Sequence, residues 1–216
     1  MQPYFIPYAG YFRLFAVADL FVALDSVQFP REGWVHRNRL TGRDGESRWL
    51  TLPIQKAPLD THIRDIRLTS DMRERLAPQM RRFPALLEPN PDAVQLAAAI
   101  TLPRDSLVDY TIELIEIAAR ALDLVRPIVR SSSLPLPPEL TGQERVIAIA
   151  QHLGATTYVN APGGRDLYDR DAFLAAGLEL RFLPRYEGAM ASILQRLHDN
   201  GTSKLRQEIL GNTRAL

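Results

Sequence analysis

The chain has no cysteine, which removes disulfides, thiolate metal sites and cysteine nucleophiles together. Serine, histidine, carboxylates or backbone must carry any chemistry. It has no charge excess either: 26 basic residues stand against 25 acidic ones, a net charge of +1, so no overall field draws it to nucleic acid or to an anionic membrane. Any attraction for anions is local. The N-terminus lacks the charged, apolar and small-residue order of a secretory signal, and no apolar run nears the roughly 18 residues of a membrane span. A cytoplasmic protein with no membrane contact is the expectation. Histidine is scarce, at four residues. His62, His152 and His198 stand apart at no zinc-binding spacing, so neither a metal nor a cofactor is expected. There is no Walker sequence, full dinucleotide fingerprint or G-x-S-x-G elbow.

What is present suits a globular protein. Over 216 residues, 46% are hydrophobic and 24% charged, enough for a sizeable core. "LFVAL" (20–24) reads as a buried strand ending at Asp25, preceded by a short helix in "GYFRLFAVAD". "SRWLTLPI" (47–54) follows a turn and pairs with the segment before it, while "IRDIRL" (63–68) alternates as a half-exposed strand. Helices follow: one from Ser70 broken by Pro78, then an amphipathic one with Leu107, Tyr110, Leu114, Ile117 and Ala121 on its stripe. "SSSLPLPPEL" (131–140) reads as a linker. Beyond it come a helix opened by Thr141 and Glu144 and closed by Gly154, a strand in "TTYVNAPGG", a short helix, a strand in "LELRFLP" and a helix ending at Gly201. Strand, helix, strand is the rhythm of a parallel sheet. The pattern predicts a single α/β domain over 1–216, a Rossmann-like layered sandwich with a mostly parallel sheet. Residues 1–69 and 141–216 form that sheet, and 70–140 are a helical insertion ending in the proline-rich linker.

Ligands of parallel sheets collect where strands end. Three stretches qualify. In "QPYFIPYAGYF", Gln2, Tyr4, Tyr8 and Tyr11 could line a pocket or fill the core, and Gly10 allows close backbone approach. From Asp25 to Arg39, a strand-end carboxylate lies near Gln28, His36 and Asn38. An extended chain there would put Trp34, His36 and Asn38 on one face, with Val35, Arg37 and Arg39 on the other. His36 would act as a base oriented by Asp25, Gln28 and Asn38 would hold a carbonyl, and Arg37 would hold an anion, with Arg31 and Arg39 at the rim. In "YVNAPGGRDLYD", Asn160, Gly163, Gly164 and Arg165 form a strand-end glycine turn able to offer N–H groups to an anion such as a phosphate or pantetheine end, with Tyr168 a further substrate-binding candidate. Arg73 and Arg75 read as a solvated helix face, not a nucleic-acid patch.

"QPYFIPYAGYFRLFAVADLFVALDSVQFPREGWVHRNRL", "WLTLPIQKA", "ERVIAIAQHLGATTYVNAPGGRDLYD" and "AMASILQRLHDNG", in that order, resemble the blocks of the WbqC-like protein family. The most specific parts are the Q-P to G-Y element over Gln2–Tyr11, Asp25 with Trp34 to Asn38, and the P-G-G element from Pro162 to Tyr168. The resemblance implies an enzyme of glycoconjugate or natural-product biosynthesis, such as an O-antigen pathway, that transfers an acyl or aminoacyl group, glycyl among them, to an amine or hydroxyl. Its partners would be a small-molecule acceptor and an acyl donor, a carrier protein or tRNA being one form of donor. Non-catalytic binding of a nucleotide sugar or a partner, and ligase or cyclase chemistry, are the alternatives. The chain departs from the family in carrying Asp25-Ser26 where a double aspartate is usual. Members also carry a short strand before the glutamine, so the resemblance implies a late start or an absent first strand here. A fainter likeness to HIGH-type nucleotidyl transferases supports the sheet, but the paired histidines of that chemistry are missing.

Overall fold

Proline and aromatic residues decide how the chain begins. Phe5, Ile6, Ala9, Tyr11, Phe12 and Phe15 are all buried, leading through a 3-10 turn, Ala9–Phe12, into helix α1, Arg13–Val17. Ile6 sits just before Pro7 with φ of 38°, a region that branched residues avoid. The side chain of Asn38 holds it there, Nδ2 donating to the carbonyls of Phe5 at 2.9 Å and Ile6 at 2.8 Å. Arg13 is fully buried and, among the described residues, meets no carboxylate. It donates to the carbonyls of Gly10, Pro184 and Asn212 and lies 5.1 Å from the centre of the Tyr186 ring.

The computed structural model describes residues 1–102 and 104–213. Strand β1, Phe21–Ala23, pairs in parallel with a strand at Ile128–Arg130. Strands β2, Arg37–Thr41, and β3, Ser47–Thr51, form an antiparallel hairpin, closed by Gly45 at φ of 81°. The helices α2, Met72–Met80, α3, Pro84–Leu87, α4, Val94–Ile100, and α5, Leu107–Ala121, follow. The strand at Ile128–Arg130 is β4, and helix α6, Gly142–His152, comes after it. Strand β5, Thr157–Asn160, helix α7, Arg170–Ala175, and strand β6, Glu179–Phe182, make a parallel unit. Helices α8, Ile193–Asn200, and α9, Thr202–Gly211, close the chain.

The fold is mixed α/β with short parallel pairs, but the expected single sheet is three two-stranded ones among the described residues: β1–β4, β2–β3 and β5–β6. The large core gathers residues from Phe5 to Ile209, whereas Val146, Ala150, Phe173, Leu178 and Leu180 form a separate small cluster around β5 and β6. Between β1 and β5 lies an open slot of about 590 Å3, walled by Phe21, Val22 and Leu24 on one side and residues 155–160 on the other.

Several expectations change. "IRDIRL" contains a 3-10 turn, Ile63–Asp65, and only isolated bridges. Its buried residues are Ile63, Ile66 and Leu68, so the inward spacing starts at three rather than two. Pro78 lies in the last turn of α2 without splitting it, where few hydrogen bonds remain to be lost. Helix α5 forms as expected, its Ser106 Oγ accepting from Asp109 N at 3.2 Å, though its buried stripe turns toward Ala118 and Ala119 while Ile117 and Ala121 stay half-exposed. Residues 131–133 are no linker: they form a 3-10 turn whose Ser131 is fully buried.

Candidate functional site

The end of β1 is a buried polar junction. Asp25 is fully buried, and Oδ1 accepts from Ser131 Oγ at 3.0 Å and Ser132 N at 2.8 Å, while Oδ2 accepts from Ser132 Oγ at 2.6 Å and Arg130 Nε at 2.9 Å. Burial pushes the carboxyl pKa up, but the donors of Ser132, Arg130 and Ser131 outweigh it and hold the group below its ordinary range. It is therefore ionised at neutral pH. Because Ser131 gives its proton to Asp25, Ser26 Oγ must donate to Ser131 Oγ, 2.8 Å away, and Ser26 in turn accepts from Arg145 Nε at 2.8 Å. Arg130 continues outward to Asp109 at 2.6 Å. Asp25 thus ties β1 to β4 and does not orient His36, as the sequence had suggested it would.

Asn38 is likewise occupied. Its amide holds the Phe5 and Ile6 carbonyls, and its Oδ1 accepts from Arg39 N at 2.7 Å, which leaves no amide hydrogen for a substrate carbonyl. Gln28 is exposed and donates to the Leu59 carbonyl at 2.8 Å. Both residues serve loops in this geometry.

His36 sits apart from that junction, 7% exposed, its ring 5.1 Å from that of Phe29. Its Nδ1 is buried without a hydrogen-bond partner. Burial, then the positive charges of Arg37 and Arg31, lowers its pKa to about 4, so the imidazole is neutral at physiological pH. Arg31 reaches the Pro58 carbonyl at 2.6 Å and Arg37 the Glu32 carbonyl at 2.6 Å. Among the described residues neither they nor Arg39 pair with a carboxylate. The guanidinium carbons of Arg37 and Arg39 lie 4.5 and 4.6 Å from the centre of the Trp49 ring, and Trp34, 42% exposed, meets Trp49 at 5.2 Å.

This arrangement departs from simple alternation. The backbone bends through residues 33–36 before β2 starts, burying Val35 and His36 together and sending Trp34 to the face of Arg37 and Arg39. Neutral imidazole, unpaired guanidinium groups and an indole pair form one neighbourhood. It can accept a proton, bind an anion and stack on a planar or sugar ring.

The other candidate residues fall elsewhere. Tyr11 is buried in the core, its hydroxyl donating to the Gln2 carbonyl at 2.9 Å, and burial pushes its pKa well above the ordinary value. Tyr4 and Tyr8 are half-buried against Tyr11 and Tyr186. Gln2 and Asn160 are half-buried too, and Asn160 Oδ1 accepts from Ala161 N at 2.7 Å. Gly163 and Gly164 lie in a 3-10 turn, Pro162–Leu167, where Gly164 N already donates to the Ala161 carbonyl. A Cβ on Gly164 would come within 2.6 Å of Asn160 Nδ2, so the glycine serves packing. Tyr168 packs on Tyr158 and Phe173 in the small cluster. No hydrogen bond or ring contact joins this group to His36.

Ser131, Ser132, Arg130, Arg145 and Trp49 are the residues sequence reasoning left out. For Ser131, Ser132 and Arg130 the one signal is the serine run after "IVR", where a hydroxyl-rich turn follows a short apolar segment; Trp49 lies in the "WLTLPIQKA" block, and Arg145 carried no signal beyond its helix.

Fold and site together define a mixed α/β protein whose polar groups gather at strand ends and beside a basic, aromatic hairpin. The chain belongs to the WbqC-like protein family, which matches it over residues 2–189. It is 38% identical over 55 residues to the uncharacterized protein Rv1507c of Mycobacterium tuberculosis (strain ATCC 25618 / H37Rv), covering 26% of this chain and 23% of that protein. The match thus spans about a quarter of that relative's length. No solved structure matches the chain. Among the described residues no helix is long and apolar enough to cross a membrane.

Proposed function

We propose that the protein is a transferase that moves an acyl or aminoacyl group onto an amine or hydroxyl of a sugar or related small metabolite. The observation that carries this reading is His36, a buried, neutral imidazole with an unpaired Nδ1 beside Arg31 and Arg37. The imidazole is neutral at physiological pH and so can take a proton, while its depressed pKa of about 4 makes it a weak base that gives the proton up readily. As the acceptor nitrogen or oxygen attacks the acyl carbon, its proton passes to His36. The bond from the acyl carbon to the donor then breaks, and His36 returns the proton to the leaving group. Arg37 and Arg31 hold an anionic part of donor or acceptor, and Trp34 with Trp49 supports its ring. Asp25 and Asn38 contribute by holding the backbone on either side.

Panels of acyl-thioester and aminoacyl donors with nucleotide-sugar acceptors, read by mass spectrometry, test the reaction. His36→Gln should lower kcat by about 100-fold or more with little change in KM, the usual worth of a general base. Unchanged turnover of a substrate the wild type consumes removes the assignment.

Binding without catalysis is the second reading, favoured by the structural employment of Asp25 and Asn38. It expects nucleotide sugars to raise the melting temperature of wild type and His36→Gln alike, with no donor consumed.

A further inference from the structure

Arg31 and Arg37 are each half-engaged. In a guanidinium, Nε–H and one hydrogen of Nη2 point the same way and make the fork that grips an oxyanion with two parallel bonds. In both side chains Nη2 is given to backbone: Arg31 Nη2 donates to the carbonyls of Ala57 at 2.5 Å and Pro58 at 2.6 Å, and Arg37 Nη2 to that of Glu32 at 2.6 Å. In both, Nε is buried with no hydrogen-bond partner. A buried donor left idle costs free energy, and the same atom is idle on two side chains whose charges both reach His36. Phe29 links them, its ring 5.1 Å from that of His36 and 5.8 Å from the guanidinium carbon of Arg31.

The carbonyls that Arg31 holds belong to a strap over residues 56–60. Lys56, Pro58, Leu59 and Asp60 are exposed, Leu59 to 75%. One end is fixed by Gln55, whose N and Nε2 donate to the Arg67 and Leu68 carbonyls, and the other by Thr61, whose carbonyl accepts from Phe29 N at 2.9 Å. Between those ends, among the described residues, the hydrogen bonds that fasten the strap to the rest of the molecule come from Arg31 and from Gln28, whose Nε2 donates to the Leu59 carbonyl. Nη2 of Arg31 has two hydrogens and the strap takes both. Arg31 therefore cannot close its fork on an anion and keep both strap carbonyls.

We infer that Arg31 and Arg37 are a parked pair of forks for a phosphate group of the ligand, and that this group draws Arg31 off the strap at 56–60 and frees it. Phosphate fits better than carboxylate on charge and on oxygen count. Arg31, Arg37 and Arg39 meet no carboxylate among the described residues, and a phosphate monoester brings a charge of about −1.5 to −2 and three acceptor oxygens at neutral pH, enough for two forks at once. A carboxylate brings one charge, and a single fork uses both of its oxygens. A ligand shifts an equilibrium only through contacts it makes in one of the two states. Here the closed fork of Arg31 exists only with the strap released, so phosphate binding and strap opening are one event. This assignment rests on the transferase reading for the place of the ligand, beside His36, and not for the transfer step.

Lysine occurs at positions 56 and 204 alone, so a lysine-specific protease reads the strap at Lys56 and helix α9 at Lys204, the second serving as an internal control. The probes are inorganic phosphate and uridine diphosphate, with acetate at matched ionic strength beside them. Phosphate should speed cleavage at Lys56 about fivefold or more over acetate, as a local opening does, and leave Lys204 unchanged. A response to either probe supports the inference, and a response to uridine diphosphate alone assigns the phosphate to a ring-bearing ligand. Arg31→Gln should be cleaved at Lys56 about tenfold faster than wild type without any phosphate, the worth of one charge-assisted hydrogen bond, and phosphate should add nothing. Arg37→Gln should start as slow as wild type and lose most of the phosphate response. Cleavage at Lys56 that neither probe raises above the acetate rate overturns the inference, as does Arg31→Gln cleaved no faster than wild type. Should Arg31→Gln also open Lys204, the variant is unfolding as a whole, and amide exchange of the wild type decides instead: faster exchange at Ala57 and Leu59 with phosphate supports the inference, and unchanged exchange overturns it. His36→Gln, which ends transfer in the reading above, should keep the phosphate response. A strap that opens to phosphate in a wild type that transfers nothing would overturn the transferase reading and leave this one standing.

Discussion

His36 is costly to ionise where it stands. Its pKa of about 4 lies below the roughly 6.5 of an unfolded histidine, so between those values the unfolded chain binds more protons than the native one. Stability from this residue is complete above pH 6.5 and is lost as pH falls toward 4, by up to about 3 kcal/mol. Urea unfolding between pH 4 and 7 should show that slope, and His36→Gln should flatten it. Equal slopes in the two proteins would place the titrating group elsewhere. The density of polar groups in "VHRNRL" was legible in the sequence, but their division of labour was not. Asn38 looked like a substrate donor because nothing in the sequence says that Ile6, a residue far along the chain, takes a positive φ and needs its carbonyl held.

At the scale of elements, β1 and β4 are only three residues each, too short for their backbone ladder to fix them firmly. The Asp25 junction supplies much of the hold. Asp25→Ala would leave Ser131, Ser132 and Arg130 without their common acceptor, costing about 3 kcal/mol, the lower range for a broken buried ion pair because Arg130 keeps Asp109. Chemical denaturation reads this directly, and a loss under about 0.5 kcal/mol, the scatter of ordinary surface substitutions, would show the junction to be incidental. Helix α5, the β2–β3 hairpin and the β5–α7–β6 unit were all readable from periodicity and turn residues, since each is built from local pattern. Strand β4 was not: "IVR" carries no alternation over three residues, and its neighbour "SSS" has the composition of a linker. The distant partners Asp25 and Ser26 give those serines a role.

For the molecule as a whole, Arg13 is the point where helix α1 meets the segments at Pro184 and Asn212. It bridges α1 to the carbonyls of Pro184 and Asn212, and a buried guanidinium whose partners among the described residues are carbonyls is sensitive to losing any of them. Arg13→Met keeps the volume but removes the donors, and should lower stability by about 2 kcal/mol. Hydrogen exchange should quicken most in Thr202–Gly211; unchanged protection there would mean that α9 is held by its apolar contacts alone. The mixed α/β class was legible because strand and helix signals alternate after residue 141. The division into three small sheets was not, because a pattern of elements does not say which edges meet.

The Arg13 clamp also sets a timetable. Its partners lie 171 and 199 residues downstream, and Asp25 waits 106 residues for Ser131. During synthesis, the aromatic cluster from Phe5 to Phe15 is made early, yet its buried cation reaches the Asn212 carbonyl only once the residues through Asn212 have left the ribosome. Native closure of the N-terminal core is therefore a late event with a high loop-closure cost. Nascent chains ending short of Pro184 should remain open to protease around α1 long after their local helices have formed.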